Sequence, residues 1–185
     1  MAGEEILIVD DEKNIRASLE GILRDEGYRA LSAKDGEEAL RSVHGALPDL
    51  VLLDIWMPGM DGLQVLSELK RTHPELPVVM ISGHGTIEQA VKAIKLGAYD
   101  FIEKPLSLEK VTLTVSHALD QKRLLLENRA LREILTRQHE IVGGSGAIQK
   151  LKEQILWAAP TNGRVLIRGE SGTGKELIAR AIHRE

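Results

Sequence analysis

The stretch EILIVDDEKNIRASLEGILRDEGYRALS at residues 5–32 decides the fold. It opens with a short apolar run, Ile6–Val9, which has the length of a buried strand. Apolar residues then recur at the spacing of one helix face, at Ile15, Leu19, Ile22 and Leu23. Gly27 ends this helix, and Arg29–Ser32 forms a second apolar run. The stretch therefore predicts a strand, a helix and a strand, the unit from which parallel sheets are built.

The same alternation continues to about residue 106. Three further strands are predicted at Leu50–Leu53, Val78–Ser82 and Asp100–Glu103, with amphipathic segments of helical length between the strands. Strands that alternate with helices are typical of a parallel sheet covered on both faces. We therefore predict a doubly wound α/β domain with a five-stranded parallel sheet.

Composition excludes several classes of function. The chain has 185 residues, 43% of them hydrophobic and 28% charged, which is typical of a globular protein. It contains no cysteine, so thiolate chemistry, disulfides and cysteine-ligated metals are excluded. No apolar run approaches the roughly 20 residues that span a bilayer, and no cationic leader precedes Ile6. We expect a cytoplasmic protein without a membrane partner.

The net charge has opposite signs in the two parts of the chain. Residues 1–106 carry 11 basic and 19 acidic side chains, a net charge of −8, whereas residues 107–185 carry 13 and 9, a net charge of +4. The acidic front part is therefore a poor binder of nucleic acid.

A long helix is predicted after the sheet. No Gly or Pro interrupts the helical pattern from Leu108 to about Glu140. Within it, Leu124, Asn128, Leu131 and Leu135 have the spacing of a coiled-coil seam, in which one Asn can set the register. The match covers under two heptads, so an amphipathic helix that packs on its own domain remains an alternative. We assign residues 108–140 to a linker helix and expect a homodimer.

A second α/β domain is predicted to begin after the glycine-rich segment IVGGSG at 141–146. A helix is expected at Ala147–Ala159, a turn at Pro160–Gly163 and a strand at Arg164–Arg168. The chain ends within a further helical pattern. We therefore expect residues 141–185 to be a fragment of a longer domain.

Polar residues follow the predicted strands at their carboxyl ends. Asp10, Asp11 and Asp54 follow or end strands one and three, Ser82 ends strand four, and Lys104 follows strand five. In a doubly wound sheet these ends line the crevice where ligands bind. Three carboxylates in one place repel one another unless a cation lies between them, and Mg²⁺ prefers such oxygen ligands. The set predicts a magnesium site in which Asp54 is a nucleophile towards a phosphoryl group.

At these residues the sequence resembles the receiver domain of two-component response regulators. The resemblance is carried by VDDE at 9–12, LLDIWMPGMDG at 52–62, MISGHG at 80–85 and DFIEKP at 100–105. It implies a flavodoxin-like receiver over residues 1–120, with strand order 2-1-3-4-5. It also implies that Asp54 accepts a phosphoryl group from a histidine kinase, and that Asp10, Asp11, Asp54 and the Trp56 carbonyl hold Mg²⁺.

The same resemblance gives roles to residues around Asp54. Lys104 is expected to pair with the phosphoryl group, and Ser82 to supply the hydroxyl that turns towards it. Phe101 is at the position of the switch aromatic, although plain core packing is an alternative. The Lys104–Pro105 bond is at a position that is often cis in receivers. The bulk of Trp56 suggests slow hydrolysis of the acyl phosphate.

The segment GESGTGKE at 169–176 fits the phosphate-binding loop G-x-x-x-x-G-K. Glu176 stands where the general motif has Ser or Thr for Mg²⁺. With its glutamate, the segment resembles the Walker A loop of sigma-54-dependent activators, whose AAA+ domains bind ATP. The implied nucleotide-binding residues are Gly169, Gly172, Thr173, Gly174, Lys175 and Glu176.

We therefore predict a regulatory protein of the NtrC family, with an NtrX-like branch as a narrower hypothesis. Phosphorylation would control an ATPase that acts on sigma-54 RNA polymerase at promoter DNA, and ATP hydrolysis is expected only in the full-length parent. One alternative is a P-loop ATPase with a receiver-like module that is not phosphorylated. Another is a haloacid-dehalogenase-like phosphatase, which needs a DxD order that VDDE lacks.

Overall fold

The computed structural model describes residues 3–83, 87–138, 141–161 and 163–184. These residues form two compact units, Met1–Leu125 and Leu126–Glu185, which are described separately below. None of the helices in these ranges is both long and apolar enough to cross a membrane.

The first unit is built on a five-stranded parallel sheet with the order β2-β1-β3-β4-β5. This confirms the predicted fold class and strand order. The strands differ from the predicted bounds by at most one residue at an end, and they are β1 Glu5–Val9, β2 Arg29–Ala33, β3 Leu50–Asp54, β4 Val78–Ser82 and β5 Asp100–Glu103.

Apolar layers cover both faces of this sheet. The helices α1 Lys13–Asp25, α2 Gly36–Gly45, α3 Gly62–Thr72 and α4 Ile87–Lys95 belong to this unit, and α5 Leu108–Gln138 begins in it. Alternate residues of a strand point to opposite faces, so Ile6 and Ile8 pack with α1 and α5, whereas Leu7 and Val9 pack with α2, α3 and α4. Both layers exclude water from the strands, which explains why β3 and β4 are buried along their whole length.

The helix α5 has two different parts. Its first part packs on the sheet through Val111, Val115 and Ala118, which are at most 1% exposed. Farther along, Leu124 and Leu131 are 63% and 62% exposed. The predicted long helix is confirmed as far as Gln138, while residues 139–140 and the side chain of Leu135 lie outside the described residues. The coiled-coil seam stays a prediction.

The second unit contains helices α6 Gly146–Ala158 and α7 Lys175–Arg184. Ser145 caps α6 by accepting a hydrogen bond from the Ile148 amide, and the helix predicted there is confirmed. The predicted strand at Arg164–Arg168 is wrong, because these residues belong to no strand. A strand needs a neighbour for its backbone hydrogen bonds, and the described residues of this unit contain no second strand. Accordingly, Val165 and Leu166 are exposed.

Gly62 allows the chain to return closely to the end of β3. Its amide donates to the Ile55 carbonyl at 2.9 Å, and a Cβ atom at Gly62 would collide with the Asp54 carbonyl oxygen. Gly62 is also the first residue of α3, which Asp61 and Gln64 begin with a capping box. The position of the Asp54 backbone therefore depends on a residue without a side chain at 62.

We predict that Gly62→Ala lowers the free energy of unfolding by about 1–3 kcal/mol, because the new methyl group forces α3 away from β3. Chemical denaturation followed by circular dichroism measures the change. Gly21→Ala is the matched control, since Gly21 lies inside α1 with no atom within 4 Å of the added Cβ. This control should gain about 0.5–1 kcal/mol from helix propensity. Equal effects of the two substitutions would contradict the close approach.

Candidate functional site

Three buried polar side chains meet at the carboxyl edge of the sheet. Asp10 follows β1 and Asp54 ends β3, and the pairing of Val9 with Leu53 places the two aspartates side by side. Their exposed fractions are 0% and 3%. Ser82 ends β4, the next strand, and is also 0% exposed. The structure thus brings together three of the residues that the sequence predicts at this edge.

Lys104 lies between the two aspartates. Its Nζ atom is 2.9 Å from Asp10 Oδ2 and 3.1 Å from Asp54 Oδ1, and its backbone amide donates to the Ser82 carbonyl at 2.7 Å. The Lys104–Pro105 bond is cis, as predicted. Only 15% of the lysine side chain is exposed, so the ammonium group pairs with two carboxylates away from bulk water and offsets one of their two charges.

The two oxygens of Asp54 have different surroundings. Oδ2 accepts a hydrogen bond from the Trp56 amide at 3.0 Å. Oδ1 is buried and accepts no hydrogen bond of acceptable geometry from the described residues. Its 3.1 Å approach to Lys104 is an ion-pair contact that is poorly aligned for hydrogen bonding, and Coulomb attraction does not require that alignment. Oδ1 is therefore a buried acceptor with a lone pair available for another electrophilic group.

Burial and the neighbouring charges set the protonation of this site. Burial raises the pKa of Asp54 from 3.8 to about 6, against the opposing attraction of Lys104, and the charge of Asp10 adds to the rise. Burial alone would lower the pKa of Lys104, but the hydrogen bond to Asp10 and the charge of Asp54 raise it above its ordinary value. At neutral pH Asp54 is therefore mostly ionised beside the protonated Lys104.

The structure does not gather the three aspartates into one cluster. Asp11 is exposed, and no group of three or more His, Cys, Asp or Glu residues in the described ranges is arranged to hold a metal ion. Lys104 lies where the predicted cation would balance Asp10 and Asp54. The Trp56 side chain is 54% exposed beside the site, and Phe101 is half-buried against the apolar layer of α2, α3 and α4.

Two residues at this edge were not predicted. Glu12 Oε1 lies 3.5 Å from Lys104 Nζ. Arg16 Nη1 donates to the backbone carbonyls of Asp10 at 2.7 Å and Asp11 at 3.0 Å. The sequence signal for Arg16 was weak, namely a basic residue one turn into a helix whose first turn has no acidic residue.

The glycine-rich loop of the second unit has the predicted turns. Gly172 and Gly174 both have φ of +81°, which side-chain-bearing residues rarely adopt. Lys175 begins α7, and its ammonium group donates to the Gly169 and Glu170 carbonyls. The Thr173 hydroxyl also donates to the Glu170 carbonyl, whereas Glu176 pairs with Arg180 at 2.7 Å. The lysine thus contacts its own loop and must leave these carbonyls to contact a phosphate.

A parallel sheet of this order, with buried aspartates and a lysine at its carboxyl edge, defines the class of phosphoacceptor signalling domains. The sequence matches the response regulator receiver domain over residues 6–116 and the sigma-54 interaction domain over residues 141–185. The chain belongs to the response regulator receiver family, and a part of a sigma-54 interaction domain follows its receiver. These matches support the regulator interpretation and not the alternative of a P-loop ATPase with an unphosphorylated module.

Individual relatives agree with this assignment. The chain is 52% identical over 181 residues to the nitrogen assimilation regulatory protein NtrX of Azorhizobium caulinodans, covering 97% of this chain and 40% of the relative. A crystal structure of NtrX from Brucella abortus with ADP has a TM-score of 0.68 and 50% identity, covering 98% of this chain and 41% of that one. The beryllofluoride-activated NtrC4 receiver dimer has a TM-score of 0.62 and 42% identity, covering 64% and 98%. The chain spans about 40% of the length of the curated relatives that it matches.

We predict that Asp54→Asn stabilises the first unit at pH 8 in the presence of a metal chelator. The pKa of Asp54 is about 6 in the folded protein, against an ordinary value of 3.8. The stability that the protonated carboxyl group contributes is therefore complete below pH 3.8 and is lost as the pH rises through 6. Asparagine stays neutral, and the gain at pH 8 should be about 1–3 kcal/mol and should shrink towards pH 5. Denaturation curves at several pH values measure it.

Asp49→Asn is the control for this prediction. Burial opposes ionisation of Asp49, but hydrogen bonds from Lys122 and the Glu5 amide outweigh it and lower the pKa of the carboxyl group. The stability that the ionised carboxylate of Asp49 contributes is present above the ordinary pKa of the group and is lost as the pH falls through the lowered pKa. Asp49→Asn should therefore destabilise the protein at pH 8, and stabilisation by both substitutions would contradict the analysis.

Proposed function

We propose that Asp54 accepts a phosphoryl group from the phosphohistidine of a histidine kinase. The observation that carries this proposal is Asp54 Oδ1, a buried oxygen without a hydrogen bond beside the ammonium group of Lys104. A nucleophile at this place combines a basic oxygen with positive charge for the incoming group. Membership in the receiver family supports the same reaction.

The transfer requires little covalent chemistry from the protein. A bond forms between Asp54 Oδ1 and phosphorus while the bond from phosphorus to the kinase imidazole breaks, and the electron pair of that bond stays on the imidazole nitrogen. Lys104, already within 3.1 Å of Oδ1, pairs with the new phosphoryl oxygens. The Ser82 hydroxyl, at the end of the neighbouring strand, would donate to another of these oxygens.

Mg²⁺ suits the donor set at this edge. Asp10, Asp11, Asp54 and the Trp56 carbonyl offer only oxygen, the ligand type that Mg²⁺ prefers. Asp54 Oδ1 accepts no hydrogen bond, and Asp10 and Asp54 together carry one more negative charge than Lys104 balances, so the site also fits an added cation. When bound, the ion supplies positive charge that the two carboxylates and the phosphoryl group need together.

We propose further that the longer protein of which these residues form a part is a cytoplasmic regulator of a sigma-54-dependent activator. Gly169, Gly172, Thr173, Gly174, Lys175 and Glu176 would contact ATP there, and the ATPase would act on sigma-54 RNA polymerase at promoter DNA. The family match over residues 141–185 and the left-handed glycines of the loop support this. Residues 1–185 alone are proposed to be regulatory, without turnover of ATP.

The exposed part of α5 supports a homodimer. Leu124 and Leu131 are 63% and 62% exposed and lie seven residues apart, so they share one side of the helix. Burial of a leucine contributes about 1.5–3 kcal/mol, which a second copy of this helix could provide. Asn128 between them would favour a parallel pair in register. A receiver dimer among similar structures is consistent with this arrangement.

Acetyl phosphate should add one phosphoryl group to the unsubstituted chain only when Mg²⁺ is present, and intact mass measures the product. Asp54→Asn should show no addition, because the amide is not a nucleophile here. Asp11→Ala should weaken Mg²⁺ binding. Lys104→Met should not weaken it, because this substitution removes a positive charge that repels Mg²⁺ and leaves the oxygen ligands in place. An equal mass increase in Asp54→Asn would show that another residue is the acceptor, and equal Mg²⁺ titrations for Asp11→Ala and the parent would refute the ligand assignment.

The unsubstituted chain should sediment as a dimer at tens of micromolar. The double substitution Leu124→Asp and Leu131→Asp should make it monomeric, because it places two charges in the seam. A matched control places the same charges on Leu47 and Leu108, which are exposed apolar residues outside the seam. A parent that stays monomeric with and without beryllofluoride would refute the dimer. A dimer that survives the Leu124 and Leu131 substitutions would place the interface elsewhere.

A further inference from the structure

We infer that Arg16 is a positioning residue of the magnesium site: it holds the backbone of Asp10 and Asp11 so that the Asp11 carboxylate faces the ion. This inference rests on the proposed function, because it takes Asp11 as a ligand of Mg²⁺. The site itself and the role of its carboxylates belong to that proposal. What is added here is a residue of α1 that does not contact the ion or the phosphoryl group.

The Arg16 side chain contacts the backbone of the two acidic residues that precede α1. One nitrogen, Nη1, donates to the carbonyl of Asp10 at 2.7 Å and to the carbonyl of Asp11 at 3.0 Å. These two carbonyls come from successive residues between the end of β1 at Val9 and the start of α1 at Lys13. Hydrogen bonds from a charged donor are stronger than those between neutral groups, so the contact fixes this short connection.

Local helix stability does not explain an arginine at this position. Arg16 lies one turn into α1, where a positive charge is unfavourable by about 0.3–1 kcal/mol because it faces the positive end of the helix dipole. The first turn contains no acidic residue, and the side chain of the N-cap residue Glu12 makes no capping hydrogen bond. The usual devices that fix the start of a helix are therefore missing from α1. The position of the connection at Asp10 and Asp11 therefore depends on the backbone contact of Arg16.

The two aspartates depend on this contact to different degrees. Both oxygens of Asp10 are held by other groups, Oδ1 by the Glu12 amide at 2.8 Å and Oδ2 by Lys104 at 2.9 Å. Asp11 is exposed, so its carboxylate is directed mainly by its own backbone. Loss of Arg16 should therefore affect the ligand at Asp11 more than the buried partner of Lys104. Outer groups that orient metal ligands typically contribute tenfold or more to metal affinity.

Charge and positioning make opposite predictions for Mg²⁺ binding. If Arg16 acted only through its charge, its removal would reduce repulsion and tighten the binding of a divalent cation. If it acts by holding the two carbonyls, its removal weakens binding although a positive charge has been lost. The direction of the change in affinity therefore distinguishes the two explanations.

The experiment is a Mg²⁺ titration of the whole chain followed by tryptophan emission. The chain has two tryptophans, so Trp157→Phe is introduced in every protein to leave Trp56, whose amide contacts Asp54, as the reporter. Arg16→Met removes charge and contact, and Arg16→Lys keeps the charge on a side chain that is one bond shorter. Arg24→Met is the matched control, because Arg24 is an exposed arginine in the last turn of the same helix. Thermal unfolding in chelator measures any loss of fold separately.

We expect the dissociation constant for Mg²⁺ to rise about tenfold in Arg16→Met, and at least threefold in Arg16→Lys, while Arg24→Met matches the parent. If Arg16→Met does not fold, Arg16→Lys decides alone. Parental or tighter binding in Arg16→Lys, or in a folded Arg16→Met, would overturn the inference. A loss of the same size in Arg24→Met would also overturn it, because the effect would then not depend on the contact of Arg16 with the two carbonyls.

One further variant separates this inference from the proposed function. Asp11→Asn should lose most Mg²⁺ affinity if Asp11 is a ligand. A parent that binds no Mg²⁺, or an Asp11→Asn variant that binds it normally, would refute the magnesium site itself and with it the role of Arg16. Normal binding in the folded Arg16 variants alongside a defect in Asp11→Asn would refute only the role of Arg16.

Discussion

The ammonium group of Lys104 between two buried carboxylates is the interaction on which the rest of the site depends. Asp10 and Asp54 are both almost fully buried, and two such carboxylates without a cation would strongly disfavour the fold. Lys104 supplies one positive charge for two negative ones. One negative charge therefore remains, and burial keeps the pKa of Asp54 raised to about 6. A site with this deficit attracts a second cation, and the same deficit keeps an oxygen of Asp54 reactive.

The sheet produces this arrangement because parallel strands end together. β1, β3 and β4 are neighbours, so the residues that follow or end them meet at one edge although they are distant in sequence. Apolar layers on both faces make a strand shift costly, since a slip of one residue would turn the inner side chains towards the opposite face. Gly62 adds a local constraint by letting α3 begin against the Asp54 carbonyl. The position of Asp54 is therefore fixed by the packed sheet and by its close contact with α3.

Much of this could be predicted from sequence because the relevant signals are local. Apolar runs such as Leu50–Leu53 mark strands that are buried on both faces, and their carboxyl ends place Asp54 and Ser82 without knowledge of any contact. The strand predicted at Arg164–Arg168 was wrong because an apolar run does not show whether a pairing strand exists beside it. Arg16 was missed for a similar reason. Its partners are backbone carbonyls, which every residue has, so no pattern of side chains indicates them.

The ion pair that joins α5 to the sheet lies far from Asp54. Lys122 pairs with Asp49, which directly precedes β3, whereas Asp54 ends the same strand. Five residues of extended strand place these two aspartates roughly 16 Å apart, at opposite edges of the sheet. A change of charge at Asp54 therefore does not act on the ion pair directly. The packed residues between the site and the helix lie on β4 and β5, where Ser82 ends β4 and where Ile102 of β5 packs with Val111 and Val115 of α5. Because packed layers have few alternative arrangements, a change carried through these residues would move α5 between discrete positions and not by degrees.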